Sequence, residues 1–295
     1  MRYIHGKELM FVTDSWQDYE LLDTGNGMKL ERWKDIVLLR PDPQVIWDYS
    51  RPLNKKNIHA VYTRSSSGGG AWDFYKKVPD KWQISWKDLT FNVRPMGFKH
   101  TGLFPEQAVN WDWMRNLISS AKREINVLNL FGYTGGATVA CASAGAKVCH
   151  VDAAKNMVAI GKENLSSSGL ADRPVRWIVD DCLKFVQREI RRGNKYDGII
   201  LDPPSYGRGP GGELWHLEEM LYPFMQDLVK IMSDEPLFLL LNSYTTGLQP
   251  LVLRNVIEKT VAQKFGGKVY AEEVGLRQAD SNVILPCGAS GRWER

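Results

Sequence analysis

The chain has 295 residues, and 38 Lys and Arg against 34 Asp and Glu leave it at +4. Hydrophobic residues make up 43% and charged residues 24%, which excludes a disordered chain, and no stretch approaches the ~18 uninterrupted apolar residues of a membrane span. The four cysteines form no C-x-x-C pair and the opening MRYIHGKELM has no apolar core, so neither a metal site, a disulfide framework nor a secretion signal is expected, and the chain reads as cytoplasmic.

Charge and composition both divide the chain. Residues 1–100 carry 16 basic and 12 acidic side chains, whereas residues 101–295 carry 22 of each. A mildly basic module suits a polyanion, although a solvated surface explains it as simply. Up to residue 96, short β-forming runs alternate with turn signals: YELLDTGNG, DIVLLRPDP, IHAVYTR, a loop at SSSGGG, then WQISWKDLTFNV. These predict a small β-rich domain over 1–96, with Trp16, Trp33, Trp47, Trp72, Trp82 and Trp86 used for packing.

From residue 97 to 295 the pattern becomes strand–helix–strand. INVLNLF predicts a buried strand, GYTGG a turn and ATVACASAG a helix. KVCHVD, VRWIVDD, YDGIILDPPS and PLFLLLNSY predict further strands. Between them NMVAIGKENLSSSG, CLKFVQREIRRG and MLYPFMQDLVKIM predict helices, the first two closed by Gly169 and Gly193. VLRNVIEKTVAQKFGG predicts one more helix, and KVYAEEVGL with NVILPCG a closing antiparallel pair. Alternation of this length predicts an α/β fold with a doubly wound, mostly parallel sheet.

In such a sheet ligands sit beyond the carboxyl ends of the strands. The turn after the first of these strands is Asn129-Leu130-Phe131-Gly132-Tyr133-Thr134-Gly135-Gly136. Gly132 can let the backbone turn tightly, and Gly135 and Gly136 let a ligand approach the helix start. The second strand ends in Asp152, placed to accept from ribose hydroxyls. The third ends in Asp180-Asp181-Cys182, where an acid and the following N–H can meet the edge of an adenine. A nicotinamide dinucleotide and S-adenosylmethionine compete for these features. The turn lacks the G-x-G-x-x-G spacing that fits a pyrophosphate, which favours the ligand without phosphates.

The fourth strand runs into Asp202-Pro203-Pro204-Ser205-Tyr206. Two prolines fix two φ angles and remove two donors, leaving a rigid set of acceptors suited to an amine on a planar substrate, with Tyr206 as a face to stack on.

With these motifs the chain resembles class I S-adenosylmethionine-dependent methyltransferases, in the branch near bacterial ribosomal-RNA methyltransferases with a D-P-P-[KS]-[FY] motif. NLFGYTGG, HVDAAKNMV, VDDCLKF and LDPPSYGRG fall in that family's order, and FKHTGLFPEQAVNW is similar to its segment reaching over the cofactor. The resemblance implies a Rossmann-like, seven-stranded sheet with an antiparallel last strand, preceded by a small β-rich domain. It implies S-adenosyl-L-methionine as cofactor, held by Thr101, Phe104, Gln107, Asn129, Phe131, Gly132, Tyr133, Thr134, Gly135, Asp152, Ala153, Asp181 and Cys182. Asp202, Pro203, Pro204 and Tyr206 would form the catalytic motif, and RNA, ribosomal RNA foremost, is the implied substrate.

There is one departure. Cytosine-5 enzymes of this neighbourhood carry a nucleophilic Cys after the fifth strand, and here Leu241-Asn242-Ser243-Tyr244-Thr245 has no thiol. Direct transfer to a nitrogen of a base needs none. Lys122, Arg123, Arg188, Arg191, Arg192, Lys195 and Arg208 are candidate phosphate contacts, together with the N-terminal module. Two rivals stand beside this reading: a methyltransferase for a small aromatic metabolite or a protein, and a catalytically idle RNA-binding factor.

Overall fold

The computed structural model describes residues 10–65, 69–208, 212, 214–245 and 247–295. The loop expected at 65–70 falls partly outside them, as does the side chain of Arg208. The chain divides into two compact units. One comprises Met1–Phe11, Val109–Val274 and Gly288–Arg295, the other Val12–Ala108 and Gly275–Cys287.

The first eight strands are β1 (Met10–Thr13), β2 (Tyr19–Gly25), β3 (Met28–Trp33), β4 (Ile36–Pro41), β5 (Ala60–Arg64), β6 (Gly70–Phe74), β7 (Trp82–Trp86) and β8 (Leu89–Val93). In the second unit β2-β3-β4-β5-β6 form a five-stranded sheet and β7-β8 a hairpin. Asn26 and Gly27, both at positive φ, make the two-residue turn between β2 and β3 that an Asn-Gly pair favours. The tryptophans pack, as expected. Trp33 and Trp86 are buried, Trp16 lies 4.8 Å from Trp86, and the indole of Trp82 donates to the Trp33 carbonyl.

Beneath this sheet lies a buried ion pair. Glu31, wholly buried, accepts from Arg40 Nε at 2.6 Å and Nη2 at 2.7 Å, and from the Tyr19 hydroxyl at 2.9 Å. Burial works against the carboxylate, but Arg40 and Lys29 outweigh it and hold the Glu31 pKa below its usual range. The remaining Arg40 nitrogen, Nη1, donates to the backbone carbonyl of Lys99 at 2.8 Å.

The chain continues through α1 (Ala108–Ser120), β9 (Asn126–Leu130), α2 (Gly136–Ser143), β10 (Lys147–Asp152), α3 (Lys155–Ser167), β11 (Val175–Val179), α4 (Cys182–Arg192) and β12 (Gly198–Leu201). A short hairpin of β13 (Tyr206–Arg208) and β14 (Leu214–His216) follows, then α5 (Leu217–Ile231), β15 (Phe238–Ser243), α6 (Pro250–Ile257), α7 (Gln263–Phe265), β16 (Lys268–Arg277) and β17 (Ile284–Glu294). The large sheet has the order β1-β16-β17-β15-β12-β9-β10-β11. Strands β15, β12, β9, β10 and β11 are parallel neighbours, and β17 is antiparallel to β15. The expected seven strands are therefore present, and β1 adds an eighth at the edge. Leu128, Leu130, Val151, Ile199, Leu201, Leu239 and Leu241 are almost wholly buried, as a parallel sheet covered on both faces requires.

Three elements were not expected from the sequence. Helix α1 buries Ala108, Trp111, Met114 and Ile118, a helical spacing that begins inside the segment FKHTGLFPEQAVNW and continues beyond it. The β13-β14 hairpin stands where the sequence predicts a loop between β12 and α5. The stretch after Pro250 is not one regular helix, because a π turn at Glu258–Ala262 separates α6 from α7. There Thr260 Oγ1 donates back to the Val256 carbonyl at 2.7 Å, a local bond that perturbs helices.

Candidate active site

Strand register lines up the sequence-predicted residues of the first unit. Leu130 pairs with Val151 on one side and Leu201 on the other, and Asp152 pairs with Val179. The ends of β12, β9, β10 and β11 therefore present Asp202, the Phe131 turn, Asp152 and Asp180-Asp181 as a row along one edge, at about 4.8 Å per strand. Leu241 pairs with Leu201, so Asn242 extends the row beyond Asp202.

The turn after β9 is tightly cross-linked. The Tyr133 N–H donates to Asp152 Oδ2 and the Ala154 N–H to Asp152 Oδ1, each at 2.8 Å. The Phe131 N–H donates to Cys182 Sγ at 3.3 Å. Burial raises the pKa of Asp152, partly offset by these two N–H donors, and pushes the Cys182 thiol well up. Each Asp152 oxygen keeps a second acceptor site. One oxygen of Asp181 caps α4 by accepting from the Lys184 N–H. The N–H of Cys182, first residue of that helix, lacks an intrahelical acceptor. Ala153 is exposed and Thr134 is buried.

The glycines act differently from the sequence reading. The left-handed residues of the turn are Phe131 (φ 56°), Tyr133 (φ 50°) and Gly135 (φ 79°), so Gly132 does not itself make the tight bend. What Gly132 supplies is space. A Cβ there would lie 2.4 Å from His150 Cε1. A Cβ on Gly136 would lie 2.8 Å from Trp111, and one on Gly135 would lie 3.2 Å from Gly161, so the helix start is closed by packing at these positions.

His150 was not singled out from the sequence. It is wholly buried in β10, 4.7 Å from Trp177, with Nδ1 2.9 Å from Thr138 Oγ1. Asn129 Nδ2 donates to the same hydroxyl at 2.9 Å. Thr138 Oγ1 thus meets both Asn129 Nδ2 and His150 Nδ1, while His150 Nε2 is without a partner among the described residues. Burial lowers the His150 pKa to about 3. A second missed group surrounds Asn242, whose Oδ1 accepts from Ser290 Oγ at 2.6 Å. Ser290 in turn is bonded by Asn110 Nδ2, and Asn110 Oδ1 accepts from Arg292 Nε.

In the D-P-P-S-Y segment, Pro203 is buried while Pro204 and Tyr206 are exposed. The Pro204 carbonyl accepts the Trp215 indole at 2.7 Å, which fixes the loop and leaves that oxygen one further acceptor site. Ser205 Oγ lies 2.5 Å from Thr245 Oγ1, tying this loop to the segment after β15. The Tyr206 ring stands 5.1 Å from His216, edge to face. Thr101, Phe104 and Gln107 belong to the second unit. Thr101 is buried there with no partner for its hydroxyl among the described residues, and Phe104 lies 5.7 Å from His100.

A family model described as S-adenosylmethionine-dependent methyltransferase matches residues 54–221. The chain belongs to this family. Among solved structures, this methyltransferase is similar to the SAM-dependent methyltransferase from Agrobacterium tumefaciens, at 37% identity and TM-score 0.91, covering 96% of this chain and 93% of that one. It shares its fold with SMU.776, whose structure holds S-adenosylhomocysteine, at TM-score 0.71 and 19% identity, covering 99% and 77%. A curated relative, ribosomal RNA large subunit methyltransferase K/L of Shewanella frigidimarina, is 32% identical over 145 residues, 48% of this chain and 20% of the relative. The chain thus matches about a fifth of that relative's length.

S-adenosylmethionine is the cofactor of this methyltransferase, and the donor set along the strand edge fits it. Asp152 and Asp181 retain acceptor positions for hydroxyls and an amine, and NLFGYTGG lacks the G-x-G-x-x-G spacing that fits a pyrophosphate. Among the described residues no helix is long and apolar enough to cross a membrane.

Proposed function

We propose that this methyltransferase transfers a methyl group directly to a nitrogen of a base in RNA, ribosomal RNA foremost, without a covalent intermediate on the enzyme. The observation that carries this reading is the pairing of Leu201 with Leu130, which sets Asp202 beside the turn after β9. The curated relative named for ribosomal RNA supports the choice of RNA.

In this reading Asp152 accepts from the ribose hydroxyls and Asp181, with the Cys182 N–H, meets the adenine edge. S-adenosylmethionine supplies, when bound, a methyl on a positively charged sulfur that is already a good leaving group, so alignment and exclusion of water are what the chain must add. Asp202 accepts a hydrogen bond from the substrate amine, and this bond strengthens as positive charge develops on nitrogen. Tyr206, 50% exposed, offers its face to the base. Pro203 and Pro204 stiffen the loop, with the Pro204 carbonyl fixed by Trp215. A base within a duplex must be flipped out to reach this edge.

The test uses methyl-labelled S-adenosylmethionine, the purified protein and separated RNA, protein and metabolite fractions from cells lacking the enzyme. Label is expected in the RNA fraction and should be released by RNase. Label confined to metabolites or protein would refute the RNA assignment.

A further inference from the structure

The phosphate contacts first suggested by the sequence are largely engaged in the structure. Arg123 pairs with Asp197, Arg188 with Asp180 and Arg192 with Glu189, while Lys195 donates to the Lys230 carbonyl. The cationic excess lies elsewhere. Residues 51–100 carry ten Lys and Arg against three Asp and Glu, a net of +7, whereas residues 1–50 carry six against nine.

Two of those ten cations, Arg64 and Lys99, lie about the β5-β6 hairpin, on a face where Ala60 and Tyr62 are buried, Trp72 is half-buried, and Arg64 and Phe74 are exposed at the two ends. The pairs Ala60–Phe74, Tyr62–Trp72 and Arg64–Gly70 share a face by the two-residue period of strands. The hairpin's acid, Asp73, lies on the opposite face and accepts from Thr63 Oγ1. Trp72 Nε1 donates to the Met96 carbonyl at 2.8 Å, which fixes the segment running through Phe98 and Lys99 beside this face. Phe74 is 56% exposed and Phe98 65%.

The charges are sorted as well. Lys29 is paired with Asp42 and Arg40 with Glu31. Arg64 and Lys99 have no carboxylate partner among the described residues, and Lys99 Nζ donates only to the Pro41 carbonyl. Burial, then the charges of Lys29, Arg64 and Arg40 set against Asp42, lowers the Lys99 pKa to about 8. Two cations without an ion-pair partner among the described residues, beside two solvent-facing rings, match the pattern that holds single-stranded nucleic acid: phosphates on the cations and unstacked bases on the rings.

We propose that this face, with Arg64 and Lys99 on phosphates and Phe74 and Phe98 on bases, binds a single-stranded segment of RNA. The proposal rests on the RNA reading above. It assigns the second unit the task of gripping the strand.

The test is fluorescence anisotropy of a labelled oligouridine titrated with the full chain at several salt concentrations. Phe74→Ala with Phe98→Ala should weaken binding roughly tenfold or more and leave the salt slope unchanged. Arg64→Gln with Lys99→Gln should lower the slope of log affinity against log salt by about 1.4, two phosphates at ~0.7 each for a single strand. Both variants should melt within a few degrees of the parent by circular dichroism, which shows that the protein remains folded. Parent-like affinity and slope in both variants would overturn the proposal. So would retained oligouridine binding together with lost binding to anionic phosphatidylglycerol vesicles, which would assign the face to a membrane surface. If methyl label enters RNA while the variants bind as the parent does, this surface is wrong and the RNA reading stands. If the parent binds no oligouridine and labels no RNA, both fall together.

Discussion

Gly132→Ala tests the packing beneath the β9 turn. The new Cβ would lie 2.4 Å from His150 Cε1, 2.6 Å from Nδ1 and 3.0 Å from Nε2, against an ordinary carbon contact of about 3.5–4.0 Å. Relief requires the ring to retreat by roughly 1 Å. It has little freedom to do so, because Thr138 holds Nδ1 and Trp177 packs against the imidazole. Gly132 does not sit at positive φ, so backbone strain adds nothing and the penalty is steric, about 1–3 kcal/mol. His150→Ala removes the obstacle, so the double variant should recover most of that penalty, a coupling of about 1–2 kcal/mol. Urea unfolding midpoints of the parent, both single variants and the double variant measure it. Costs that add to within ~0.5 kcal/mol would refute the argument that Gly132 exists to make room for His150.

Three further outcomes are expected. His150 has a folded pKa of about 3, below its unfolded value of ~6.5. The unfolded chain therefore takes up the proton first, and stability should fall by about 1.4 kcal/mol per pH unit contributed by this group between those limits. His150→Asn should remove that component from the acid limb of a stability profile, and an unchanged limb would show that another group carries it. Asp202→Ala should lower turnover by orders of magnitude while S-adenosylhomocysteine affinity stays nearly constant, and Asp152→Ala should chiefly weaken that affinity. Calorimetry with single-turnover assays separates the two, and if both variants lost only affinity the division of roles would be wrong. Lys99 is charged below about 8 and neutral above it, so the salt slope of oligouridine binding should shrink by about 0.7 between pH 7 and pH 9.5. Lys99→Arg should keep the slope constant over that range, and a parent slope that does not change with pH would refute the phosphate role of Lys99.

The fold was legible wherever hydrophobic period carried the signal. INVLNLF, KVCHVD and PLFLLLNSY are short runs dominated by apolar residues, and they form central strands buried on both faces. Ala108, Trp111, Met114 and Ile118 carry an equally good helical signal, which begins inside the segment FKHTGLFPEQAVNW and continues beyond it. The row of Asp202, Asp152 and Asp181 was accessible because each acid directly follows or precedes a readable element. The chemistry inside the turn was not. That Phe131 and Tyr133, rather than Gly132, adopt left-handed backbone depends on the bonds to Asp152 and Cys182, which fold across distant stretches of chain. His150 gives no sign of its isolation within an otherwise apolar strand. The Asn110–Ser290 contact spans 180 residues, beyond the reach of any local pattern.

The Glu31–Arg40 pair has a consequence at the surface. Arg40 spends two nitrogens on Glu31 and a third on the Lys99 carbonyl, so the backbone that carries Lys99 outward is held by a cation anchored in the core. Replacing a buried pair of this kind by apolar residues of similar volume is often neutral for folding. Here such a replacement would leave a stable sheet whose 96–100 segment has lost its inner tether and is held by the Trp72 bond to Met96, the Lys99 bond to the Pro41 carbonyl and the backbone bonds of the turn itself. The pair thus acts as a hinge pin between interior and rim, and a protein that melted normally could still have lost its hold on a strand.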